Sequence, residues 1–534
     1  MKLCFSTLMA GVLLAVANTS IACGGFFCQL LPIDQAGEQI VFRKDGNQIT
    51  TMVRIQYAGE AENFGWVLPV PNTPELSLGS DVVFTQLDLA TRPQFILERT
   101  GEACPDSDPS IMANAVGEGS AADADGEGSG VVIEQRISIG PFDAQVISGD
   151  DPLAVASWLA DNNFDLSDRG EELLTPYVDD GMKFVVLKLQ NDSDVGDIQP
   201  IIMEYESALP MIPLRLTAIA AEEDMGIVVW LLSDSRAVPD NFLHVTPNYT
   251  RLNWYTGSRN AYASYQDLIT EAMDEAGGQG FATDYAGRFE NLGDRLTDTE
   301  AMEQVMASLA GVSNSEFLAE VRDNIFDSRI SAAYLEWLPL PSGQSANIYF
   351  DPLALATQYN ANELALARSA IETLVQDDII VPIQNARDVV VDGAYLTRLY
   401  TTLSPDEMVL DPVFVFNDTM PDQQLDRHAN LNMACTSNGT EWTLTLGEGT
   451  GRSDQLVIDG RGQTPTSEPE IAQASSWQIE KTSADGSPII ESENDFGVAK
   501  VGSFENDSGG GSASWLLLFL SGLLLVVRRK SRIR

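Results

Sequence analysis

The sequence is poor in the side chains on which most hydrolases depend. Only two histidines occur in 534 residues, His244 and His428, and no lysine lies between Lys188 and Lys481. A G-x-S-x-G elbow, an H-E-x-x-H helix and a P-loop are all missing. A triad would need one of the two histidines, and Ser-Lys or Schiff-base chemistry is excluded from the central region. The sequence therefore assigns no catalytic residue and predicts no cofactor.

Positive charge is also scarce. The chain has 31 Lys and Arg against 78 Asp and Glu, which gives a formal net charge of −47. Such a surface repels phosphate backbones and anionic lipid headgroups, so nucleic acid is not expected as a partner. With carboxylates so abundant, no single pair of them stands out as a glycosidase-like acid and base.

Cysteine is equally rare, with five in the chain. Cys4 lies in an N-terminal apolar segment, and the remainder is an even number of the kind that pairs in an oxidising compartment: Cys23, Cys28, Cys104 and Cys435. Three pairings are possible, and we favour Cys23–Cys28 with Cys104–Cys435. The first pair fits half of a zinc site, but a second close pair or histidines are missing.

The N-terminus has the three parts of a signal peptide. Lys2 is followed by an apolar run over residues 8–16 and by small residues at Ser20 and Ala22. Cleavage after Ala22 would make Cys23 the first mature residue. A lipoprotein signal also ends before a cysteine, but it has a Leu-like residue where this chain has Ser20. We therefore favour ordinary cleavage over lipidation of Cys23.

The C-terminus carries an uncharged apolar run followed by an Arg-rich tail. At about 1.5 Å per residue, the run over 515–527 spans only about 20 Å, which is short for a hydrocarbon core of about 30 Å. The tail predicts the cytoplasmic side of the inner membrane. The predicted membrane residues are Trp515, Leu516, Leu517, Leu518, Phe519, Leu520, Leu523, Leu524, Leu525, Val526 and Val527.

This end resembles the GlyGly-CTERM sorting signal of Gram-negative bacteria, which combines a glycine pair, a short hydrophobic helix and an Arg-rich terminus. The resemblance implies cleavage by a rhombosortase-like protease, in addition to signal peptidase at the other end, and release towards the cell surface. The cleavage region would be Gly509, Gly510, Gly511 and Ser512. The alternative is a permanent C-terminal anchor, which we rank second because the run is so short.

The region that follows the signal peptide alternates in the manner of β-strands. Two alternating runs flank Asp45, Gly46 and Asn47, which is a strong hairpin signal. Further strands are predicted over 64–70, 131–139, 145–147, 182–189, 201–205, 214–218 and 227–232, and strand character returns near residue 430.

Helix signals begin near Tyr262. Helices are predicted over 315–325 and 362–375, and Ser404, Pro405 and Glu407 have the arrangement of a helix start. Residues 463–510 are rich in small and acidic side chains, which indicates a polar stalk. We therefore predict an α+β fold with a signal peptide (1–22), a β-rich part (23–255), a helical and then β part (256–462), the stalk (463–510) and the C-terminal helix with its basic tail (511–534).

Five stretches together resemble the bacterial domain-of-unknown-function family 2330. They are "CGGFFC", "FGWVLPVPNTP", "PMIPLRLTAIA", "DEAGGQGFATDYAG" and "YLTRLYTTLSPDEMVLDPVF", and they extend from Cys23 to about Asn417. The resemblance implies an exported protein with an N-terminal cysteine pair. It implies no activity and no catalytic residue.

One acidic stretch follows the spacing of a calcium-binding loop. The matching residues are Asp123, Asp125, Glu127 and Glu134. Gly130 stands where an apolar residue is usual, and the sequence that follows has the pattern of a strand rather than a helix. We favour a solvated acidic loop and predict no metal site.

Together these features predict an exported, membrane- or surface-anchored envelope protein with a binding or structural role and no enzymatic activity. The ectodomain would begin in the periplasm and could pass to the surface after C-terminal processing. The alternative is a surface hydrolase that uses a carboxylate pair on polysaccharide or peptide, since five tryptophans could act as sugar platforms. They are Trp66, Trp158, Trp230, Trp254 and Trp337.

Overall fold

The computed structural model describes ten segments of the chain. They are residues 35–54, 64–102, 132–164, 170–190, 198–219, 221–254, 258–290, 299–437, 439–458 and 473–501. The predicted signal peptide, most of the calcium-like loop and the C-terminal apolar run lie outside the described residues.

Sheets and helices both make up long parts of the chain. The strands are β1 (Gln35–Asp45), β2 (Gln48–Arg54), β3 (Gly65–Val70), β4 (Glu75–Leu78), β5 (Gln94–Gly101), β6 (Val132–Ile139), β7 (Phe142–Ser148), β8 (Lys183–Leu189), β9 (Ile201–Glu206), β10 (Ala221–Ser233), β11 (Arg236–Pro239), β12 (Leu243–Pro247), β13 (Gly280–Arg288), β14 (Tyr395–Leu403), β15 (Phe414–Asn417), β16 (Asp426–Thr436), β17 (Gly439–Leu446), β18 (Gln455–Ile458), β19 (Ser476–Lys481), β20 (Ile489–Glu493) and β21 (Val498–Val501).

The helices follow the same order. They are α1 (Asp81–Thr91), α2 (Pro152–Asp161), α3 (Gly170–Asp179), α4 (Leu214–Thr217), α5 (Ser258–Glu275), α6 (Thr299–Ser308), α7 (Asn314–Asn324), α8 (Ser328–Trp337), α9 (Pro352–Gln358), α10 (Ala361–Thr373) and α11 (Val381–Val389), with a π-helix (Leu374–Ile380) between the last two. The N-terminal half is rich in strands and the middle is helical, so the predicted α+β class is confirmed.

A ten-stranded mixed sheet forms the centre of the molecule, in the order β20-β19-β12-β13-β14-β10-β1-β2-β9-β4. Its β1–β10 and β12–β13 pairs are parallel, and its other pairs are antiparallel. The predicted hairpin is confirmed, because β1 and β2 pair from Asp45 opposite Gln48 onward. Gly46 in the turn has φ +58°, which a residue without a Cβ adopts easily.

Two other sheets cover opposite faces of this central sheet. A four-stranded sheet, β3-β8-β7-β6, packs Phe142 and Val185 into one core with Ile40 and Val229 of the central sheet. On the other face, α5 and a five-stranded sheet, β21-β18-β17-β16-β5, share a second core. Strands β11 and β15 form a separate pair. Successive strand residues point to opposite faces, so the central strands contribute to both cores.

The helical middle has a core of its own, built by residues between Leu309 and Ile383. The helices predicted over 315–325 and 362–375 correspond to α7 and α10. Each begins with a capping box, Ser313 with Glu316 for α7 and Asn360 with Glu363 for α10. Helix α11 joins this region to the central sheet, because Ala386 and Val389 pack in the same cluster as Trp230.

Two predicted elements are wrong. Residues 214–217 form helix α4 rather than a strand, and the Asp411 carboxylate accepts a hydrogen bond from the Arg215 amide at its start, 3.0 Å away. Residues 404–407 form one turn rather than a helix start. Glu407 does accept from the Ser404 amide, at 2.8 Å, as a capping residue would. The chain then extends towards Pro412, whose ring disfavours a helical residue before it.

The predicted polar stalk also needs correction over residues 473–501. Strand β19 pairs with β12, β20 pairs with β19, and β21 pairs with β18. Ile479 of β19 is buried in the core beside α5. This stretch is low in apolar side chains, but long-range pairing supplies backbone hydrogen bonds that local composition does not reveal.

Candidate functional site

The polar side chains most unusual for their burial meet around β13. Its pairing with β14 shifts by one residue between Thr283 and Tyr285, so Asp284 occupies a β-bulge. Thr283 contacts Arg236 and His244, whereas Asp284 contacts a separate set of side chains beside α5. Both groups are buried. The group around Thr283 and His244 is the histidine chain, and the group around Asp284 is the aspartate cluster.

The histidine chain is a line of hydrogen bonds across four strands, from Arg236 on β11 through β13 and β12 to Glu480 on β19. The Arg236 Nη2 donates to Thr283 Oγ1 at 3.0 Å, and Thr283 Oγ1 lies 2.9 Å from His244 Nε2. His244 Nδ1 lies 2.8 Å from Glu480 Oε1, and Gln478 donates to the other carboxylate oxygen of Glu480 at 2.8 Å. Strands β12, β13 and β19 are thereby joined through their side chains.

The protonation of His244 follows from its surroundings. Burial lowers the pKa of His244, and the positive charge of Arg236 lowers it further, while Glu480 opposes both effects. A neutral ring then carries its proton on Nδ1, where Glu480 accepts it, and its Nε2 accepts from the Thr283 hydroxyl. This assignment gives both ring nitrogens of His244 and the Thr283 hydroxyl complementary partners, whereas Arg236 Nε has none among the described residues.

A hydroxyl, an imidazole and a carboxylate in this order have the chemistry of a nucleophile, a base and an orienting group. Thr283 is only 7% exposed, however, and Arg236 already donates to its hydroxyl. For nucleophilic attack, the carbonyl carbon of a substrate would have to approach this hydroxyl oxygen. The arrangement as it stands joins strands and presents no open nucleophile.

The aspartate cluster holds two buried arginines around one buried carboxylate. The Tyr265 hydroxyl donates to Asp284 Oδ1, and Arg398 Nε forms an ion pair with Asp284 Oδ2 at 3.0 Å, without hydrogen-bond geometry. Arg427 Nη2 donates to the Asp284 backbone carbonyl at 2.8 Å. Arg398 Nη1 also reaches Asp88 on α1, at 2.8 Å. The cluster therefore joins α1, α5, β13, β14 and β16.

The buried charges in this cluster stabilise one another. Each charge, if buried without its partners, would destabilise the folded protein. Burial raises the pKa of Asp284, and Arg398, Tyr265 and Arg427 oppose that rise. Burial also lowers the pKa of Arg398, but Asp284 and Asp88 outweigh it and the net direction is upward. This balance is typical of a structural ion pair.

Of the residues singled out in the sequence, only a few are among those described. Glu134 on β6 forms an ion pair with Lys183 and accepts from Thr73 and Ser148, each at 2.6 Å. The hydrogen bond from Lys183 is the main reason that the pKa of Glu134 falls to about 2. The Glu134 carboxylate oxygens therefore already accept hydrogen bonds from protein side chains. The rest of the calcium-like loop lies outside the described residues.

Cys435, near the end of β16, is disulfide-bonded. The other predicted residues lie outside the described segments: Cys23, Cys28, Cys104, Ala22, Gly509, Gly510, Gly511, Ser512 and the apolar run 515–527. Within the described segments, no group of His, Cys, Asp and Glu side chains could hold a metal ion. None of the helices described is long and apolar enough to cross a membrane.

The tryptophans proposed as sugar platforms are mostly buried. Trp66, Trp158, Trp230 and Trp254 lie in four different cores, whereas Trp337 at the end of α8 is exposed. The sequence alone did not point to Asp284, Arg398, Arg427 or Glu480. The available signal was a single charged residue inside an otherwise uncharged strand, as in "YLTRLYTTL".

Comparison with known proteins places much of the chain in a described family. The profile of a family described as "Uncharacterized protein conserved in bacteria (DUF2330)" matches residues 17–330. No curated protein and no solved structure matches the chain. The matched span contains His244, Thr283 and Asp284, whereas Arg398, Arg427 and Glu480 lie beyond it.

Proposed function

We propose that this chain, which belongs to the DUF2330 family, is an exported envelope protein stapled by disulfides, with a binding or structural role. The observation that carries the proposal is the disulfide at Cys435. Structural disulfides form and persist in oxidising compartments and are rare in the cytosol. An exported location agrees with the signal-like N-terminus and with the Gly-rich, apolar and basic C-terminus.

The strand pairing supports Cys104 as the partner of Cys435. In the parallel β5–β16 pair, Gly101 lies opposite Met433, and the Glu102 amide donates to the Met433 carbonyl at 3.1 Å. In the sequence Cys104 follows Gly101 by three residues and Cys435 follows Met433 by two, so the two cysteines come soon after the same ladder pair. Cys23 and Cys28 would then form the second pair.

A non-enzymatic role is supported by the two buried clusters. The Thr283 hydroxyl, the His244 ring and the Asp284 carboxylate each contact other protein groups. A catalytic acid, base or nucleophile must instead reach a substrate atom. The remaining acidic surface favours solubility and partners of opposite charge.

The test is the intact mass of the native protein, reduced and unreduced, from membrane and culture-medium fractions. We expect a chain from Cys23 to the Gly509–Ser512 region, lighter before reduction by the hydrogens of two disulfides. A chain that reaches Arg534, or one with acyl mass on Cys23, would mean a permanently anchored envelope protein. Free thiols in the native protein would contradict the proposal.

A second candidate function is a surface hydrolase for peptide or polysaccharide. One observation favours it, the order Thr283, His244 and Glu480 in the histidine chain. A panel of ester, peptide and glycoside substrates tests this candidate on the purified protein. Turnover that disappears in Thr283→Val, a variant of nearly the same shape, while the variant stays folded, would favour the hydrolase.

A further inference from the structure

Segment 473–482 of the chain lies in a groove between strand β12 and the C-terminal end of helix α5. Strand β19, which belongs to this segment, pairs antiparallel with β12, so that Val245 lies opposite Ile479. Segment 473–482 is the resident segment. The acceptor groove is β12 together with residues 248–251 and 271–275, whose side chains contact the resident segment.

Carboxylates at the end of α5 bind the resident segment. Glu275, the last residue of α5, accepts from the Ser475 amide at 2.6 Å and from the Ser476 amide at 2.8 Å. The Ser475 hydroxyl donates to Glu271 at 2.6 Å, and the Ser476 hydroxyl donates to Glu275 at 2.5 Å. Acidic side chains are unfavourable at a helix C-terminus, and the last turn of α5 has no basic residue. The donors of the resident segment therefore stabilise an arrangement that α5 alone would not favour.

The residues that follow β12 bind the backbone of the resident segment. The Asn248 amide donates to the Ser475 carbonyl at 2.8 Å, and the Asn248 side chain donates to the Ala474 carbonyl at 2.9 Å. Arg251 donates to the Gln473 carbonyl at 3.0 Å. Donors and acceptors of the groove thus match the amides and carbonyls of one extended strand.

The contacts that hold the resident segment are mostly polar. Between residues 475 and 482, Ile479 is the one apolar side chain that is buried, and Trp477 is half-buried. The Nε1 of Trp477 has no hydrogen-bond partner among the described residues. Water replaces a hydrogen bond that opens, so each such bond adds little net stability. A strand with few buried apolar contacts can therefore open while the cores stay folded.

We propose that the acceptor groove also binds the resident segment of a second copy of this chain, through exchange of residues 473–501 between two molecules. The contacts described above would then form between copies instead of within one, as in domain swapping. Residues 459–472 connect Ile458 to the resident segment, and these fourteen residues can extend over about 45 Å. This inference rests on the binding role proposed above and names the partner.

The sequence favours a second copy over an unrelated partner. Two serines adjoin only at Ser475 and Ser476 in the whole chain, and the groove contacts both amides and both hydroxyls of this pair. Ile479 and Glu480 follow at the spacing that fills the core beside α5 and meets His244. The formal net charge of −47 on each copy opposes association, so exchange should increase with salt, which screens this repulsion.

The test traps the exchanged strand with an engineered disulfide. Thr246 and Gln478 face one another across β12 and β19, at a separation that suits a disulfide. One preparation of the full-length protein carries Thr246→Cys, a second carries Gln478→Cys, and the two are mixed and oxidised. We expect a cross-linked pair with one copy of each, in a yield that rises with salt. Both substitutions in one chain should instead lock the strand in place and leave the protein monomeric.

Two controls separate exchange from random collision and from general unfolding. Mixing Thr246→Cys with Glu171→Cys, at an exposed site on α3, should give no cross-link. Ile479→Ala should speed the cross-linking of the matched pair by about tenfold or more, because the strand opens more easily. Ile371→Ala, which truncates an isoleucine buried in the helical core, should leave the rate unchanged.

No cross-link, or equal yields from the matched and control pairs, would overturn the proposal. Equal acceleration by the two alanine variants would also overturn it, since the strand would then open only with the whole protein. If a labelled peptide of residues 473–482 binds while the two copies do not cross-link, the groove takes another polypeptide and exchange is excluded. The mass test of the native disulfides does not use these positions, so the two proposals can fail separately.

Discussion

Glu38 on β1 provides the sharpest test of the core. It is 5% exposed, and among the described residues its Oε2 has no hydrogen-bond partner. Parallel pairing places it opposite Ile227 of β10, and the next residue on the same face is Ile40, which is buried in the core. Burial alone raises the pKa of this carboxyl from 4.5 to about 7.

The pH dependence follows from this rise in pKa. The folded protein binds the Glu38 proton more tightly than the unfolded chain does, so its stabilising effect is complete below pH 4.5 and is lost as the pH rises through 7. Each pKa unit corresponds to about 1.4 kcal/mol, so the free energy of unfolding should fall by about 3 kcal/mol from this group. The substitution Glu38→Gln removes this contribution while keeping the shape of the side chain.

The assay is urea unfolding of the wild type and of Glu38→Gln at pH 5 and pH 8, followed by tryptophan fluorescence. We expect the variant to exceed the wild type in stability by less than about 1 kcal/mol at pH 5 and by about 3 kcal/mol at pH 8. Glu206→Gln, at an exposed position on β9, is the control and should show no such difference. A Glu38→Gln effect of the same size at both pH values would refute the reasoning.

Three further predictions concern the aspartate cluster, the disulfide at Cys435 and the histidine chain. Urea unfolding measures each of them. Arg398→Ala leaves Asp284 buried without its main cation and should cost about 3–5 kcal/mol, whereas Arg92→Ala, at a partly exposed pair, should cost less than about 1 kcal/mol; equal losses would contradict the role of Arg398. Cys435→Ser should lower the free energy of unfolding by about 2–5 kcal/mol, and reduction of the wild type should lower it by at least as much. If neither change alters the stability, the disulfide does not stabilise the fold. His244→Gln should lower stability by about 1–3 kcal/mol because Thr283 or Glu480 loses a buried partner, and an unchanged stability would show that these bonds contribute little.

Elements with strong local signals were predicted well. The β1–β2 hairpin depends on one turn, and Gly46 at that turn has the positive φ that glycine adopts easily. Helices α7 and α10 start at capping boxes in which the partners are three residues apart. These signals act within one turn of chain, so a single sequence is enough to reveal them.

Elements held by distant partners were missed. Helix α4 is capped by Asp411, nearly two hundred residues away, and β19 is held by β12 and by Glu275 of α5, which accepts from the Ser475 and Ser476 amides. Neither partner is visible in the neighbouring sequence. Propensity is a weak guide wherever tertiary contacts supply the hydrogen bonds.

The sequence by itself determined the acidic charge, the even set of four cysteines beyond Cys4, the two candidate targeting ends and the α+β class, because these depend on composition and local order. Only the tertiary structure decided that Asp284, Arg398 and Arg427 meet in one buried cluster. Strand order places residues more than a hundred positions apart side by side, and pairing of buried charges depends on that proximity rather than on spacing along the chain.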